Sequence, residues 1–533
     1  MSTAYENKPS IEQYEAEIAN LQAQIDELTK KYEWLLEKYK LKLKKIFGRS
    51  REIVNGQTVI EGVFNEAEVE VEPSQPEPTV DEITEPITKL VKKYQGQKKA
   101  KLEGLPSERI VYDISEKERN CVKCGTPLPE LKPVIRTRIE VIPAQVKVLV
   151  EEQHVYGPCP CDIEEHDHCN IINASMPVAA IPHSIATEAT IAYVIVEKYL
   201  YGIPLNRQET MWRMADLNIS RKTMSNWVIL ATDIWLKQIY ERMHVMLLQR
   251  DIIMADETTL QVIHEKDRPA MSKSFMWLYR SGTGPPIILF EYQETREAKH
   301  PLKYLSGFSG YLCTDGYAAY YNWPSVINVS CFAHARRNFY EAFMALPKSA
   351  QKKSTAAYQG LNYCNMLFDV ERGLHNKEPI ERYNDRLLNS QPILDEFKRW
   401  LDLMRPRAET QSHLGKAVKY CLNRWDSLCN FMLDGRLEID NNASERNIRN
   451  YVIGRKGWLF ANTPNGATAS SIAYSIVQTA VANNLKPFEY IQYLLRVLPN
   501  TIIKEQADID SFLPWSDSMP DYCKMKLKAT HSH

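Results

Sequence analysis

The chain has 533 residues, too many for one compact core, so three or four domains are expected. Hydrophobic residues at 44% and charged residues at 25% are ordinary for a soluble protein, and the net charge of −1 provides no global attraction to nucleic acid. No apolar run approaches a membrane span, since the best candidate, Ile185 to Val196, is short and interrupted by Thr187, Glu188 and Thr190.

The first residues lack a basic region followed by an apolar core, so no signal peptide is expected and the location reads as cytoplasmic. Residues 11 to 43 carry a heptad in which Ile11, Tyr14, Ile18, Leu21, Ile25, Leu28, Tyr32, Leu35 and Tyr39 alternate at spacings of three and four. That seam predicts a coiled coil and a homo-oligomer, a dimer or higher. An amphipathic helix packed on its own chain has the same pattern. The basic run Lys38 to Lys45 extends the helix, and the segment 1–53 ends with Arg49 and Arg51. Residues 54–104 read as a linker, with nine acids and no Lys or Arg between Glu61 and Glu85, and with Pro73, Pro76, Pro78 and Pro86. Lys89 to Lys101 restore positive charge. A neutral total thus hides basic segments suited to DNA.

Five of the 11 cysteines fall between Cys121 and Cys169, which in a reducing compartment favours metal over disulfides. Cys121-Val-Lys-Cys124-Gly is a zinc knuckle, with backbone amides facing thiolate sulfurs. Cys159 and Cys161, separated by one residue, are the favoured completion of a tetrahedral set; His166, His168 and Cys169 compete with them, Cys169 being the alternative fourth ligand. Residues 105–175 are therefore expected to form a small domain around one structural zinc.

Residues 176–248 read as helical. Within them Arg207 to Trp227 is a helix, a short turn, then Ser220 as N-cap of a second helix. That helix offers Arg221, Lys222, Thr223, Ser225 and Asn226 to phosphates or base edges, with Met224 and Trp227 turned to the core. A purely structural hairpin would look alike.

From Asp251 the period changes. Ile252 to Ala255, Thr259 to Ile263, Phe275 to Tyr279, Ile287 to Tyr292, Gly310 to Thr314 and Val326 to Ser330 read as strands, with helical pieces between the later ones. Hairpin strands followed by strands alternating with helices predict a mixed sheet covered by helices, in the order of a ribonuclease-H-like core. Residues 249–480 form this catalytic domain, with a helical insertion at about 335–435, and 481–533 form C-terminal helices and a tail. The fold class is multidomain α+β.

Three acids have settings suited to metal chemistry. Asp256 ends one apolar strand, Asp315 follows the fourth strand of the core, and Glu445 opens a helix. Brought together, such carboxylates repel unless cations sit between them, as in two-metal phosphoryl transfer. Glu257 rivals Asp256, Glu438 and Asp440 rival Glu445, and an ion pair of Glu445 with Arg449 would be an innocent explanation. His334 and Arg337, with Arg336 between them, lie one helical turn apart at the active-site edge or on a DNA phosphate. Cys331 and His334 also read as possible metal ligands without an evident partner pair. Arg446, Arg449, Arg455 and Lys456 follow Glu445 and can engage DNA.

The motifs Ala255-Asp256-Glu-Thr, Thr314-Asp315-Gly-Tyr-Ala-Ala-Tyr, Cys331-Phe-Ala-His-Ala-Arg-Arg-Asn-Phe339, Asp440-Asn-Asn-Ala-Ser-Glu445-Arg-Asn-Ile-Arg and Gly454-Arg-Lys-Gly-Trp-Leu-Phe460 resemble those of the insertion sequence 66 family of DDE transposases. So does Ile46-Phe-Gly-Arg-Ser-Arg-Glu52 after the heptads. The likeness runs from about residue 11 to Pro499. It departs at Cys159-Pro-Cys161, where Cys-x-x-Cys is the pattern, and at Val452, where many DDE enzymes carry Lys or Arg. Arg449, or Arg455 with Lys456, can substitute there.

The resemblance implies a DNA transposase that reads the terminal inverted repeats of an insertion sequence. It implies two Mg²⁺ ions, or Mn²⁺ in their place, held by Asp256, Asp315 and Glu445. Phosphodiester cleavage at the element's ends would be followed by transesterification into target DNA. Two small accessory proteins of the same element are implied partners, in a prokaryotic, nucleoid-associated setting. A structure-specific nuclease on the same fold, and a non-catalytic DNA-binding regulator derived from a transposase, are the alternatives.

Overall fold

The computed structural model describes Gln22 and residues 145–156, 172–321 and 323–526. The expected coiled coil (apart from Gln22), the linker and the candidate zinc ligands Cys121, Cys124, Cys159, Cys161 and Cys169 lie outside the described residues. A two-residue antiparallel ladder joins β1 (Val155–Tyr156) to β2 (Ile172–Asn173).

Helices come first. In α1 (Glu188–Tyr199), Thr187 caps the N-terminus through Thr190 N–H. Next are α2 (Leu205–Met214) and α3 (Arg221–Ala231), whose N-cap Ser220 accepts from Thr223 N–H at 3.1 Å. Met224 and Trp227 are buried, as their spacing predicts, whereas Arg221, Lys222 and Asn226 stay exposed. α3 runs through a π-helical segment, Thr232–Leu236, into α4 (Lys237–Leu248).

The sheet that follows has five strands: β3 (Ile252–Gln261), β4 (Lys273–Ser281), β5 (Ile288–Gln293), β6 (Gly310–Thr314) and β7 (Val326–Ser330). Their spatial order is β5-β4-β3-β6-β7. The first three pair antiparallel, and β6 and β7 add on in parallel. The two strands expected at 252–255 and 259–263 are one ten-residue strand. The polar run Asp256 to Thr259 does not break it, because every residue there pairs with β4, from Asp256↔Leu278 to Thr259↔Phe275.

Two apolar layers cover the sheet. One continuous core joins Ile191, Met224 and Trp227 of the leading helices to Trp277 and Phe290 of the sheet and Ile476 of α12 (Pro464–Ala482). The edge strand β5 is not left open: Ser475 accepts from Phe290 N–H at 2.7 Å and Thr479 accepts from Ile288 N–H at 3.0 Å. Burying those donors unpaired would cost about 1–3 kcal/mol each. α13 (Pro487–Val497) packs beside α1.

A second core unites Met254, Cys313 and Val329 with the helical insertion. After α5 (Lys299–Tyr304) these helices are α6 (Phe332–Ala345), α7 (Ala356–Leu374), α8 (Pro379–Met404), α9 (His413–Asn423) and α10 (Trp425–Cys429), leading to α11 (Asn442–Trp458). Among the described residues, no helix is long and apolar enough to cross a membrane.

Candidate active site

The site forms where parallel pairing on β3 stops. Met254 pairs with Cys313, the last β3–β6 pair, and two further steps along each strand reach Asp256 and Asp315. Asp256 therefore sits mid-strand, at the fork where β6 leaves β3 and β4 stays. Its Oδ1 accepts from Glu257 N–H at 2.8 Å. Burial first, then the charges of Glu257, Asp315 and Glu445, hold the Asp256 carboxyl well above the usual carboxylate range. Asp315 and Glu445, the other two acids singled out in the sequence, thus both act electrostatically on Asp256.

Asp315 is held from two sides. Its Oδ1 accepts from Tyr317 N–H at 2.8 Å, and its backbone carbonyl accepts from Tyr420 Oη at 3.0 Å. The next residue, Gly316, has φ +91° and presents its carbonyl to Arg424 Nε and Nη2 at 2.9 and 2.7 Å. A Cβ at Gly316 would meet the Arg424 guanidinium, so the turn needs glycine for both reasons. The insertion, through Tyr420 of α9 and Arg424 just beyond it, clamps the Asp315 turn.

Glu445 lies in the first turn of α11. Its carboxylate oxygens are 3.8 Å from His334 Nδ1 and 3.9 Å from Arg337 Nη2, both on α6. Among the described residues no ion pair joins Glu445 to Arg449. Burial lowers the His334 pKa, against the opposing pull of Glu445 and Asp315, so this imidazole is neutral at neutral pH. Glu445 Oε1 and His334 Nδ1 are both buried without a hydrogen-bond partner.

The rival carboxylates are occupied elsewhere. Glu257 alternates to the other side of β3, where Arg296 pairs with it and Tyr320 Oη donates to it at 2.8 Å. Glu438 pairs with Arg382 at 3.1 Å. Asp440 accepts from Asn442 N–H and Nδ2.

Asn441 carries no role in the sequence reading, although it stands in the Asp-Asn-Asn-Ala-Ser-Glu run. It is buried, donates from Nδ2 to the Ala255 carbonyl at 2.9 Å, and donates from its backbone N–H to Cys331 Sγ at 3.2 Å. It joins the residue before Asp256, the start of α6 and the start of α11. Asn441→Ala is expected to cost about 1–3 kcal/mol by orphaning the Ala255 carbonyl. It should also depress turnover more than substrate affinity, because it loosens Glu445 relative to Asp256. Chemical denaturation alongside steady-state kinetics checks both.

Of the cationic candidates, Arg336 hydrogen-bonds Asn365 at 2.7 Å, and Arg455 donates to the Thr259 carbonyl and, at 3.0 Å, to its hydroxyl. Arg455 therefore braces β3. Arg446, Arg449 and Lys456 are exposed.

The profile of the Transposase IS66 family matches residues 183–469, the whole span from α1 through this site. The chain belongs to the IS66 transposase family. The IS66 C-terminal element matches residues 475–515 in addition. This IS66-family chain is 26% identical over 435 residues to the uncharacterized protein y4jD of Sinorhizobium fredii, covering 77% of this chain and 81% of that one. It is 28% identical over 403 residues to y4qI of the same organism, covering 71% and 70%.

Proposed function

We propose that the chain is a DNA transposase whose Asp256, Asp315 and Glu445 hold two divalent cations, Mg²⁺ or Mn²⁺, for strand cleavage at the ends of an insertion sequence and strand transfer into target DNA. The observation that carries this reading is the β3–β6 register, which directs Asp256 and Asp315 to one place, together with the influence of Glu445 on the Asp256 carboxyl. The donors fit the ions: carboxylate oxygens are hard ligands, and Glu445 Oε1 is buried with no hydrogen-bond partner. The cations, when bound, supply Lewis acidity at the attacking and leaving oxygens.

The side chains do the rest. In cleavage a water oxygen bonds to phosphorus as the P–O3′ bond breaks, leaving a 3′-hydroxyl on the element. In joining, that hydroxyl bonds to a target phosphorus and displaces a second 3′-oxygen. Neutral His334 beside Glu445 can take the proton released, and Arg337 can hold a phosphate oxygen. Arg446, Arg449 and Lys456 line the exposed side of α11 for backbone phosphates. Arg221, Lys222, Thr223, Ser225 and Asn226 read the terminal repeats from α3. The N-terminal heptads, the zinc-binding cysteines and the element's small accessory proteins complete a cytoplasmic, oligomeric assembly. Purified full chain, Mg²⁺ and end-bearing DNA test the reading: cleavage followed by joining supports it, and cleavage alone favours a nuclease.

The raised Asp256 pKa has a consequence for the cation-free protein. A carboxyl whose folded pKa exceeds its unfolded one adds stability that is complete below the unfolded value and is lost as pH rises through the folded one. Cation-free protein should therefore melt lower as pH rises above the ordinary carboxylate range, with Mg²⁺ restoring the loss. Asp256→Asn should melt a few degrees above wild type without Mg²⁺ and respond less to it. Thermal melts with and without Mg²⁺ over that rise in pH decide, and identical curves for the two proteins would refute the assignment.

A further inference from the structure

We propose that Cys331, His334 and Glu445 form a second metal site, selective for zinc over magnesium, whose occupation withdraws Glu445 from Asp256 and Asp315 and so switches the chemistry off. The inhibitory consequence rests on the proposed function; the site itself does not.

The three ligand atoms all lie within 4.8 Å of one another, and His334 Nδ1 is 3.8 Å from Glu445 Oε1. Ligands on a tetrahedral zinc, about 2.0–2.3 Å from the ion, stand about 3.3–3.8 Å apart. The imidazole–carboxylate pair already has that spacing, and the sulfur needs to approach by at most about 1 Å, within reach of small side-chain rotations. Cys331 and His334 belong to the first turn of α6, with Cys331 as its N-cap, so Sγ and Nδ1 project to one side. Burial pushes the Cys331 thiol up to about 12, so the metal ion itself would have to displace its proton.

Two independent observations point to a ligand. His334 Nδ1 and Glu445 Oε1 are buried with no hydrogen-bond partner, although each is a strong donor or acceptor. Cys331 Sγ accepts the Asn441 N–H at 3.2 Å, the amide-to-sulfur bond that a metal-bound thiolate uses. A thiolate, an imidazole and one carboxylate form a borderline-soft set that suits zinc and that Mg²⁺ disfavours. Binding would release the Cys331 thiol proton to solvent and leave a fourth position open. Because Glu445 belongs to both sets, zinc here competes with the hard-cation site.

The test counts zinc in the full chain. Wild type, Cys331→Ser and His334→Gln are dialysed against Zn²⁺ with Mg²⁺ in large excess, and metal per folded chain is measured. Any zinc on the N-terminal cysteines is common to all three. Both variants should hold one zinc fewer than wild type, and equal contents would overturn the site. Cys331 is buried, so thermal melts accompany the count; His334 is only half-buried, and His334→Gln decides alone if Cys331→Ser does not fold. Zn²⁺ should then inhibit Mg²⁺-dependent cleavage at least about tenfold more potently in wild type than in Cys331→Ser, whose residue takes no part in the proposed chemistry, each measured against its own zinc-free rate. Equal potency would overturn the switch while leaving the site. A wild type without cleavage under Mg²⁺ would refute the proposed function, and the zinc count would still read the site.

Discussion

Asp256→Asn is expected to lower Mg²⁺-dependent strand cleavage by about three orders of magnitude or more while the protein stays folded. Asn keeps the shape of Asp and its place at the fork between β4 and β6, and it can still accept the Glu257 N–H. It removes the charge that a cation requires. Asp315→Asn and Glu445→Gln should behave alike, because a site of this kind works as a unit. The Asp256→Asn/Asp315→Asn double variant should be hardly worse than either single change. Cleavage and joining of end-bearing DNA provide the measurement, with melts as the control for folding. Wild-type rates in Asp256→Asn would mean that the cations sit elsewhere. Glu257 is the nearest rival, yet Arg296 and Tyr320 already satisfy it, so Glu257→Gln should be far milder.

Arg386→Met is expected to cost about 3–5 kcal/mol, the largest stability effect of a single change outside the site. Arg386 is fully buried in α8. Its Nε and Nη2 each donate to Glu371 at 2.7 Å, and its remaining bonds reach the carbonyls of Phe431, Asp434 and Leu437 at 2.8, 3.0 and 2.8 Å. Met fills the space but leaves Glu371 with only Arg382 at 3.4 Å and leaves three carbonyls without this donor. Those carbonyls lie on the segment entering α11, where the Ile439 carbonyl accepts Phe332 N–H at 3.0 Å and Asn441 follows. Loss of the guanidinium should therefore loosen Glu445 as well as the insertion. Urea denaturation measures the cost, and adding Glu371→Leu should recover part of it by removing the stranded charge. A loss under about 1 kcal/mol would show that the ion pair carries little.

The elements legible in the sequence were those set by near neighbours. Ser220 caps α3 because a hydroxyl three residues before an amide is enough, and Met224 and Trp227 follow from helical spacing. The strands β4 to β7 follow from short apolar runs between turn residues. The single length of β3 was not legible, because only the facing strand β4 decides whether Asp256 to Thr259 stay extended. The insertion at 335–435 reads as a spacer before Glu445. Its service to Asp315, through Tyr420 and Arg424, spans more than a hundred residues and leaves no local signature.

By itself, then, the sequence determined which residue types were available: three acids in rigid settings, a Cys-x-x-His turn, a capped helix pair and the motifs that place the chain among IS66 transposases. Tertiary structure decided which of them meet. It brought the charges of Asp315 and Glu445 to bear on Asp256, paired Glu257 with Arg296, and gave Glu445 His334 and Arg337 as neighbours where Arg449 was the local candidate. The physical reason is range. Caps, turns and periodicity act within a few residues, whereas strand register and helix docking are set by contacts between segments far apart in the chain.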